Sequence, residues 1–217
     1  MNQVSHPLLR VQDMEADGRA PLYGLDIETD TTIDGLDPAV GRVLAVAVAH
    51  GDDVELFDHD DEAHLLRQLD RHLDDLSPGV LVTWNGARFD LPYLATRAAR
   101  HGVGLGLALH LDPALAGRHA PLPGHAGAYR AGWHGHLHLD AYRVYRADVG
   151  PALGLACTLK VVAALAGMAP VEVDASRVHE LSRDQIARYV GSDARCAAGL
   201  AQRRWATARL AVDRVVA

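Results

Sequence analysis

The sequence has few cysteines and no long apolar run, and both absences narrow the classes of protein to consider. Only Cys157 and Cys196 are cysteines, and both lie in alanine-rich, helix-like stretches. They favour free, buried thiols in a reducing compartment over a disulfide-stapled secreted fold. No apolar run approaches the roughly 20 residues of a membrane span, and residues 1–20 lack the apolar core of a signal peptide. We expect a cytoplasmic protein without a membrane partner, with a polar N-terminal extension over residues 1–20 and a single domain over residues 21–217.

The sequence has fewer basic than acidic residues, and its net charge is −7 at pH 7. This balance argues mildly against a surface that coats nucleic acid broadly. It leaves room for a nucleic-acid enzyme, because acids that hold a metal ion count against the total. The late arginines could line a substrate path, although an exposed helix face is the simpler interpretation. These arginines are Arg188, Arg195, Arg203, Arg204, Arg209 and Arg214.

The hydrophobic pattern predicts an α/β protein whose central mixed sheet is flanked by helices. The predicted strands cover residues 21–28, 41–50, 54–57, 80–84 and 136–140, and the first three suit an antiparallel meander. The predicted helices cover residues 59–76, 89–101, 157–167 and 182–214, the last with a possible break near Gly191 or Gly199. Residues 102–132 lack clear periodicity and are interpreted as a loop or lid.

Two acids interrupt the first apolar strand. Asp26 and Glu28 are two residues apart, so a strand places both side chains on one face. Neighbouring carboxylates repel each other and raise each other's pKa unless a cation lies between them. Their hard oxygen atoms suit Mg²⁺ or Mn²⁺. We expect a divalent-metal site here rather than a solvent-facing acidic pair.

Further polar residues fall where two other segments meet the predicted sheet. Asp90 follows a buried strand, beside Asn85 and Phe89, at the kind of strand end where open α/β sheets place their sites. Tyr189 and Asp193 are four apart and share one face of the final helix. The phenol is a poor base at neutral pH because its ordinary pKa is near ~10. We therefore expect Tyr189 to orient an attacking water.

Three sequence motifs occur in the same order as the motifs of a known family. L25-D-I-E-T29, N85-G-A-R-F-D90-L-P-Y-L94 and Y189-V-G-S-D193 resemble the exonuclease motifs of the DnaQ-like, DEDDy 3′–5′ exonuclease superfamily on the ribonuclease H-like fold. The amino-acid sequence of the second motif most resembles that of the exonuclease domain of family B DNA polymerases. The stretches H136-LHLD140-AYR143 and T158-LKVVA163 are similar to the intervening strand and helix of that family.

The resemblance implies a function and a set of roles. It implies hydrolysis at the 3′ end of single-stranded nucleic acid, DNA favoured, with release of 5′-nucleoside monophosphates by two divalent metal ions, Mg²⁺ or Mn²⁺. Glu28 and Tyr189 would contact the nucleophilic water, while Thr29, Asn85 and Phe89 would bind the terminal nucleotide. The implied metal ligands are Asp26, Glu28, Asp90 and Asp193.

Two alternatives stay open at this point. The substrate could be RNA, as in ribonuclease D-like enzymes, because the contacts to a 2′-hydroxyl cannot be placed from sequence. The fold could instead serve as a non-catalytic nucleic-acid-binding module, although such a module would usually have lost one acid. The sequence contains no polymerase domain, so a polymerase or helicase partner would act in trans.

Several other residues have competing interpretations. His134, His136 and His138 alternate and could bind a transition metal, although packed or exposed histidines are the default. Asp140 is better explained as a helix cap than as a site residue. Trp133 could stack on a base, whereas Trp84 is expected in the core beneath the site.

Overall fold

A computed structural model describes residues 20–115, 120–147 and 149–213. Apart from Ala20, the predicted N-terminal extension lies outside the described residues. Seven strands form one mixed sheet in the order β3-β2-β1-β4-β7-β6-β5, in which β1, β4 and β7 run parallel. The strands are β1 (Leu22–Thr29), β2 (Val43–His50), β3 (Asp53–Phe57), β4 (Val80–Thr83), β5 (Leu107–Leu111), β6 (Tyr129–Trp133) and β7 (His136–Asp140).

Helices cover both faces of the sheet, so the predicted α/β class with a central mixed sheet is confirmed. They are α1 (Glu62–Asp75), α2 (Asp90–Arg100), α3 (Ala141–Arg146), α4 (Val149–Leu153), α5 (Leu159–Leu165), α6 (Arg183–Arg203) and α7 (Trp205–Ala208). Short 3₁₀ turns cover Pro113–Leu115, Ala175–Glu180 and Arg209–Ala211. No helix in the described ranges is long and apolar enough to cross a membrane.

The side chains of β2 set which helix covers which face. Its valines, Val46 and Val48, point into the core shared with α1 and α2. Its alanines point the other way and pack under Val190 and Ala194 of α6. Small side chains let a helix approach closely, and a Cβ on Gly24 of β1 would lie only 1.9 Å from the carbonyl oxygen of Ala194. The alanine and glycine face therefore fixes α6 directly over β1.

The opposite face is closed mainly by leucines at helical spacing. Leu65, Leu66, Leu69 and Leu73 of α1 are fully buried against the valine face. Asp61 caps this helix by accepting bonds from the backbone N–H groups of Ala63 and His64. The periodicity in the sequence predicted this helix, and the helix begins at this N-cap, where an acid faces the positive end of the helix dipole.

The structure corrects two predictions. Residues 102–132 are not simply a loop or lid, because β5 and β6 pair antiparallel at the edge of the sheet. The final helix ends at Arg203, and its break falls at Arg204 rather than at Gly191 or Gly199. Both glycines are packing positions, since a Cβ on them would meet Val54 and Met168 respectively.

Candidate active site

The carboxyl half of β1 and the middle of α6 bring three carboxylates together. Asp26 and Glu28 lie on the β1 face that α6 covers, and Asp193 points down from α6. One oxygen of each carboxylate lies within 4.8 Å of the others. Across the sheet Asp26 and Glu28 are opposite Ala47 and Ala45 of β2, whose small side chains leave this space open. Three of the four acids expected to bind metal, from two separate segments, thus form one cluster.

Asp90 lies next to this cluster but does not belong to its tightest group. It is the first residue of α2 and is buried, and the N-cap position of this helix is Phe89, which makes no side-chain capping hydrogen bond. The Asp90 carboxylate is close enough to raise the pKa of Asp26. The backbone amide of Ile27 helps to hold the Asp90 charge by lowering the pKa of its carboxyl group. Asp90 therefore approaches from the α2 side of β1.

Burial and mutual repulsion strongly raise the pKa values of these acids. Burial, followed by the carboxylates around it, raises the pKa of Asp26 well above its usual value. Burial and the Asp193 carboxylate raise the pKa of Glu28 to about 8. Burial raises the pKa of Asp90 to about 7, with further contributions from Asp140 and Asp193. So many crowded anions indicate a site that requires cations to hold its charge.

Lys160, the only lysine of the sequence, is a site residue that the motifs did not identify. Its ammonium group donates to the Asp193 carboxylate and lowers the pKa of that group, although burial raises it more. The same ammonium lies 4.2 Å from the centre of the Tyr189 ring. Lys160 is in α5, and its contact with Asp193 spans 33 residues of sequence. Within the described residues it is the cation that the acid cluster contacts directly.

Tyr189 is placed as the helical spacing predicted, one turn before Asp193 and facing the same acids. Burial and the charge of Glu28 raise the pKa of its phenol, as do the charges of Asp193 and Asp26. A phenol with a raised pKa stays protonated at neutral pH, so it donates a hydrogen bond and does not act as a base.

The residues expected to bind substrate lie at or just after the carboxyl ends of β1 and β4. Thr29 ends β1, where its hydroxyl donates to the carbonyl of Gly35 over 2.7 Å. Asn85 has a φ of 68°, a left-handed conformation that asparagine tolerates better than most residues. Phe89 is half-buried, with its ring centroid 5.2 Å from that of Tyr93. The structure brings all three to the active-site end of β1 and β4.

Asp140 holds the segment that contains Asn85. It caps α3 by accepting from the backbone N–H of Tyr142 over 3.1 Å, as the sequence favoured. The same oxygen accepts from the backbone N–H of Asn85 over 2.8 Å. Asp140 therefore joins the end of β4 to the start of α3, and this second contact was not apparent from the sequence.

The structure does not support a transition-metal site at the three histidines or base stacking by Trp133. His134 bonds Asp70 in α1, His136 bonds the carbonyl of Leu73, and His138 bonds Asp213. The three rings have different partners and do not converge on a metal site. Trp133 is only 1% exposed, which excludes stacking on a base. Both cysteines are free, as predicted.

Comparisons with known proteins show which proteins this chain resembles. The model of the DNA polymerase family B exonuclease domain matches residues 45–152. The DNA polymerase epsilon catalytic subunit from Candida glabrata is 26% identical over 144 residues, which is 65% of this chain and 6% of that relative. An Arabidopsis thaliana catalytic subunit of DNA polymerase epsilon is 45% identical over 42 residues, which is 19% of this chain and 2% of that relative.

A solved structure shows the same architecture across most of the chain. The family B DNA polymerase from the archaeon Pyrobaculum calidifontis matches with a TM-score of 0.67 and 26% identity, over 85% of this chain and 24% of the polymerase. The chain therefore spans only a small part of the polymerases that it resembles, and the ribonuclease H-like class is confirmed. The chain is similar to the exonuclease domain of family B DNA polymerases in sequence over residues 45–152 and in fold, and this similarity is consistent with the DnaQ-like exonuclease superfamily.

Proposed function

We propose that the chain is a divalent-metal-dependent 3′–5′ exonuclease that hydrolyses single-stranded nucleic acid, with DNA as the favoured substrate. The observation that carries the proposal is the cluster of Asp26, Glu28 and Asp193, with oxygens within 4.8 Å of one another. The names of the relatives, which are DNA polymerases, favour DNA over RNA.

The donor set of the cluster fits two Mg²⁺ or Mn²⁺ ions. These metals prefer carboxylate oxygens, and such oxygens are what the cluster offers. The raised pKa of Glu28, about 8, indicates that the folded protein holds these charges poorly without added cations. Asp26, Glu28, Asp90 and Asp193 would hold the ions. When bound, they would supply an activated water and stabilise the attacking and leaving oxygens of an in-line displacement.

The remaining groups would orient the substrate and the water. Tyr189 would donate a hydrogen bond from its hydroxyl to the attacking water, because its raised pKa keeps the phenol neutral. Glu28 would accept a hydrogen bond from the same water. Thr29, Asn85 and Phe89 would hold the terminal nucleotide, with Asn85 fixed by Asp140. The product would be a 5′-nucleoside monophosphate.

The test is a denaturing gel of 5′-labelled single-stranded DNA and matched RNA with Mg²⁺ or Mn²⁺. We expect a metal-dependent ladder that shortens from the 3′ end and is lost in Asp193→Asn and Asp26→Ala. The matched control is Asp184→Asn, which removes an exposed carboxylate from the same helix as Asp193 and should leave the ladder intact.

The gel also decides between the alternatives. A ladder from RNA alone would favour a ribonuclease D-like enzyme. Retained cleavage in a folded Asp26→Ala protein would contradict the metal mechanism. The absence of cleavage, together with no Mn²⁺-induced rise in melting temperature, would favour the non-catalytic binding module. The cytoplasmic location and a polymerase or helicase partner stay predictions.

A further inference from the structure

A group of aromatic side chains lies beside the carboxylate cluster on the same face of the sheet. β1 and β4 pair in parallel, with Gly24 level with Val82. β4 ends at Thr83, so Trp84 directly follows the strand that neighbours β1. Val82 belongs to the core cluster beneath α6, and Trp84 packs against that cluster. The indole thus lies one strand away from the acid, on the side that α6 covers.

Trp84 is paired with an aromatic ring of α3. The centroids of the Trp84 and Tyr142 rings are 5.8 Å apart, at an interplanar angle of 66°. The carboxylate of Asp140 accepts from the backbone N–H groups of both Asn85 and Tyr142. One buried acid therefore fixes the two segments that carry the rings, so their spacing is set before any ligand arrives.

Trp84 and Tyr142 are more exposed to solvent than the neighbouring ring of Tyr145. Tyr145 lies under Trp84, is only 6% exposed and donates its hydroxyl to the carbonyl of Leu200. Trp84 and Tyr142 are half-buried and keep part of their surface open to solvent. The exposed guanidinium of Arg146 lies over the Tyr142 ring, 5.8 Å from its centre. Positive charge therefore adjoins the aromatic surface.

We propose that Trp84 and Tyr142 form a stacking platform for unpaired bases of the strand whose 3′ end occupies the carboxylate site. The inference rests on the proposed exonuclease function. Open aromatic faces followed by a cation are the usual means by which proteins hold single strands without reading their sequence. Arg146 would neutralise a backbone phosphate upstream of the stacked bases. The platform makes the chain favour strands of several nucleotides over a lone terminal nucleotide.

The first test compares two substrates of different length. One is the ten-residue oligothymidylate, and the other is thymidine 5′-(p-nitrophenyl phosphate), which has one base and the same scissile bond type. In Trp84→Ala we expect the KM for the oligonucleotide to rise roughly tenfold, because stacking of a base contributes about that factor. The ratio of kcat/KM for the oligonucleotide to kcat/KM for the ester should fall accordingly, and Trp84→Phe should recover most of it.

Trp205→Ala is the control, because this half-buried indole lies beyond the C-terminal end of α6, in the same apolar cluster. The ratio of the two kcat/KM values in Trp205→Ala should equal that of the wild type. Tyr142→Ala provides a second platform variant in case Trp84→Ala does not fold. An unchanged ratio in the folded platform variants overturns the inference, even where their melting temperature falls, since the rings would then be packing residues only.

Binding separates this inference from the proposed function. On the Asp193→Asn background, anisotropy of 5′-fluorescein-labelled oligothymidylate should show a Kd about tenfold higher when Trp84→Ala is added. If the wild-type protein cleaves neither substrate, the exonuclease proposal fails while this Kd still decides the platform. An equal Kd with and without Trp84→Ala overturns the platform even in an active enzyme.

Discussion

At the residue scale, the charge balance of the carboxylate cluster depends on Lys160. Its ammonium contacts Asp193 and lowers the pKa of that carboxyl group as well as those of Asp26 and Glu28. Metal ions would take over part of this role. The protein without metal therefore relies on Lys160 more than the metal-loaded protein does.

We expect Lys160→Ala to lower the melting temperature in EDTA by at least about 3 °C, because a buried charge pair loses one partner. Mn²⁺ should restore most of this loss, so the metal-induced rise should be larger in the variant than in the wild type. Differential scanning fluorimetry with and without Mn²⁺ measures both values. Lys160→Arg keeps the positive charge and is the control. An equal metal-induced rise in the alanine variant would contradict this charge balance.

The sequence identified the acids of the cluster but not their cation. Asp26 and Glu28 are two apart and Asp193 is one turn from Tyr189, so local spacing was enough to group them. Lys160 meets Asp193 across 33 residues because α5 packs against α6. That packing is a tertiary property, and an isolated lysine in an apolar helix gives no local signal of it.

At the scale of elements, the contact between β1 and α6 positions the cluster. Gly24 lies two residues before Asp26, and Ala194 directly follows Asp193. The backbone of α6 comes so close that a Cβ on Gly24 would lie 1.9 Å from a carbonyl oxygen. The distance between the acids therefore depends on a position without a side chain.

Gly24→Ala should force α6 away from β1 and lower the free energy of unfolding by about 1–3 kcal/mol or more. Because Asp193 moves with the helix, exonuclease activity should fall further than stability alone explains. Urea unfolding and the gel assay measure the two effects. Gly104→Ala is the control, since a Cβ there meets no atom within 4 Å. Wild-type stability in Gly24→Ala would show that the helix contact is loose.

A second contact between elements depends on pH. His136 of β7 accepts from the backbone N–H of Gly79 and donates to the carbonyl of Leu73, over 3.0 and 2.8 Å. It thereby joins β7 to the end of α1 and the start of β4. Burial lowers the pKa of this histidine, so the ring is neutral in the folded protein.

A neutral buried histidine stabilises the fold above the unfolded pKa of about 6.5. This contribution is lost as pH falls below that value, since the unfolded chain then binds more protons. His136→Gln should cost about 1–3 kcal/mol at pH 7.5, and the difference from the wild type should shrink at pH 5.5. Urea unfolding at both pH values measures it, with exposed His110→Gln as control. A constant difference would assign the effect to packing instead.

At the scale of the whole molecule, the last described residue ties the chain end to the sheet. Asp213 is fully buried, and its carboxylate accepts from His138, Arg143 and Arg130 over 2.9, 3.1 and 3.2 Å. Its backbone N–H also bonds the carbonyl of His138. These partners hold the pKa of Asp213 below its usual value against the effect of burial.

Asp213→Ala should cost about 3–5 kcal/mol, because Arg130 and Arg143 lose a buried counter-charge and His138 loses a hydrogen-bond partner. We expect a lower urea midpoint for unfolding. In Asp213→Asn this decrease should be only partly reduced. Leu210→Ala is the control, since this residue is 78% exposed in the same terminal segment. A loss below about 1 kcal/mol would mean that the terminal contact contributes little to the global fold.

The amino-acid sequence by itself determined the class of fold and most of the strands and helices, and it singled out the acids that the fold brings together. Alternation and helical spacing are local properties, and the three motifs occur in order along the chain. The tertiary structure decided the rest: the pairing of β5 with β6, the end of α6 at Arg203, and the distances among the acids. It also decided which polar groups were structural, because Lys160, Asp213 and the histidines meet their partners only after distant segments pack together.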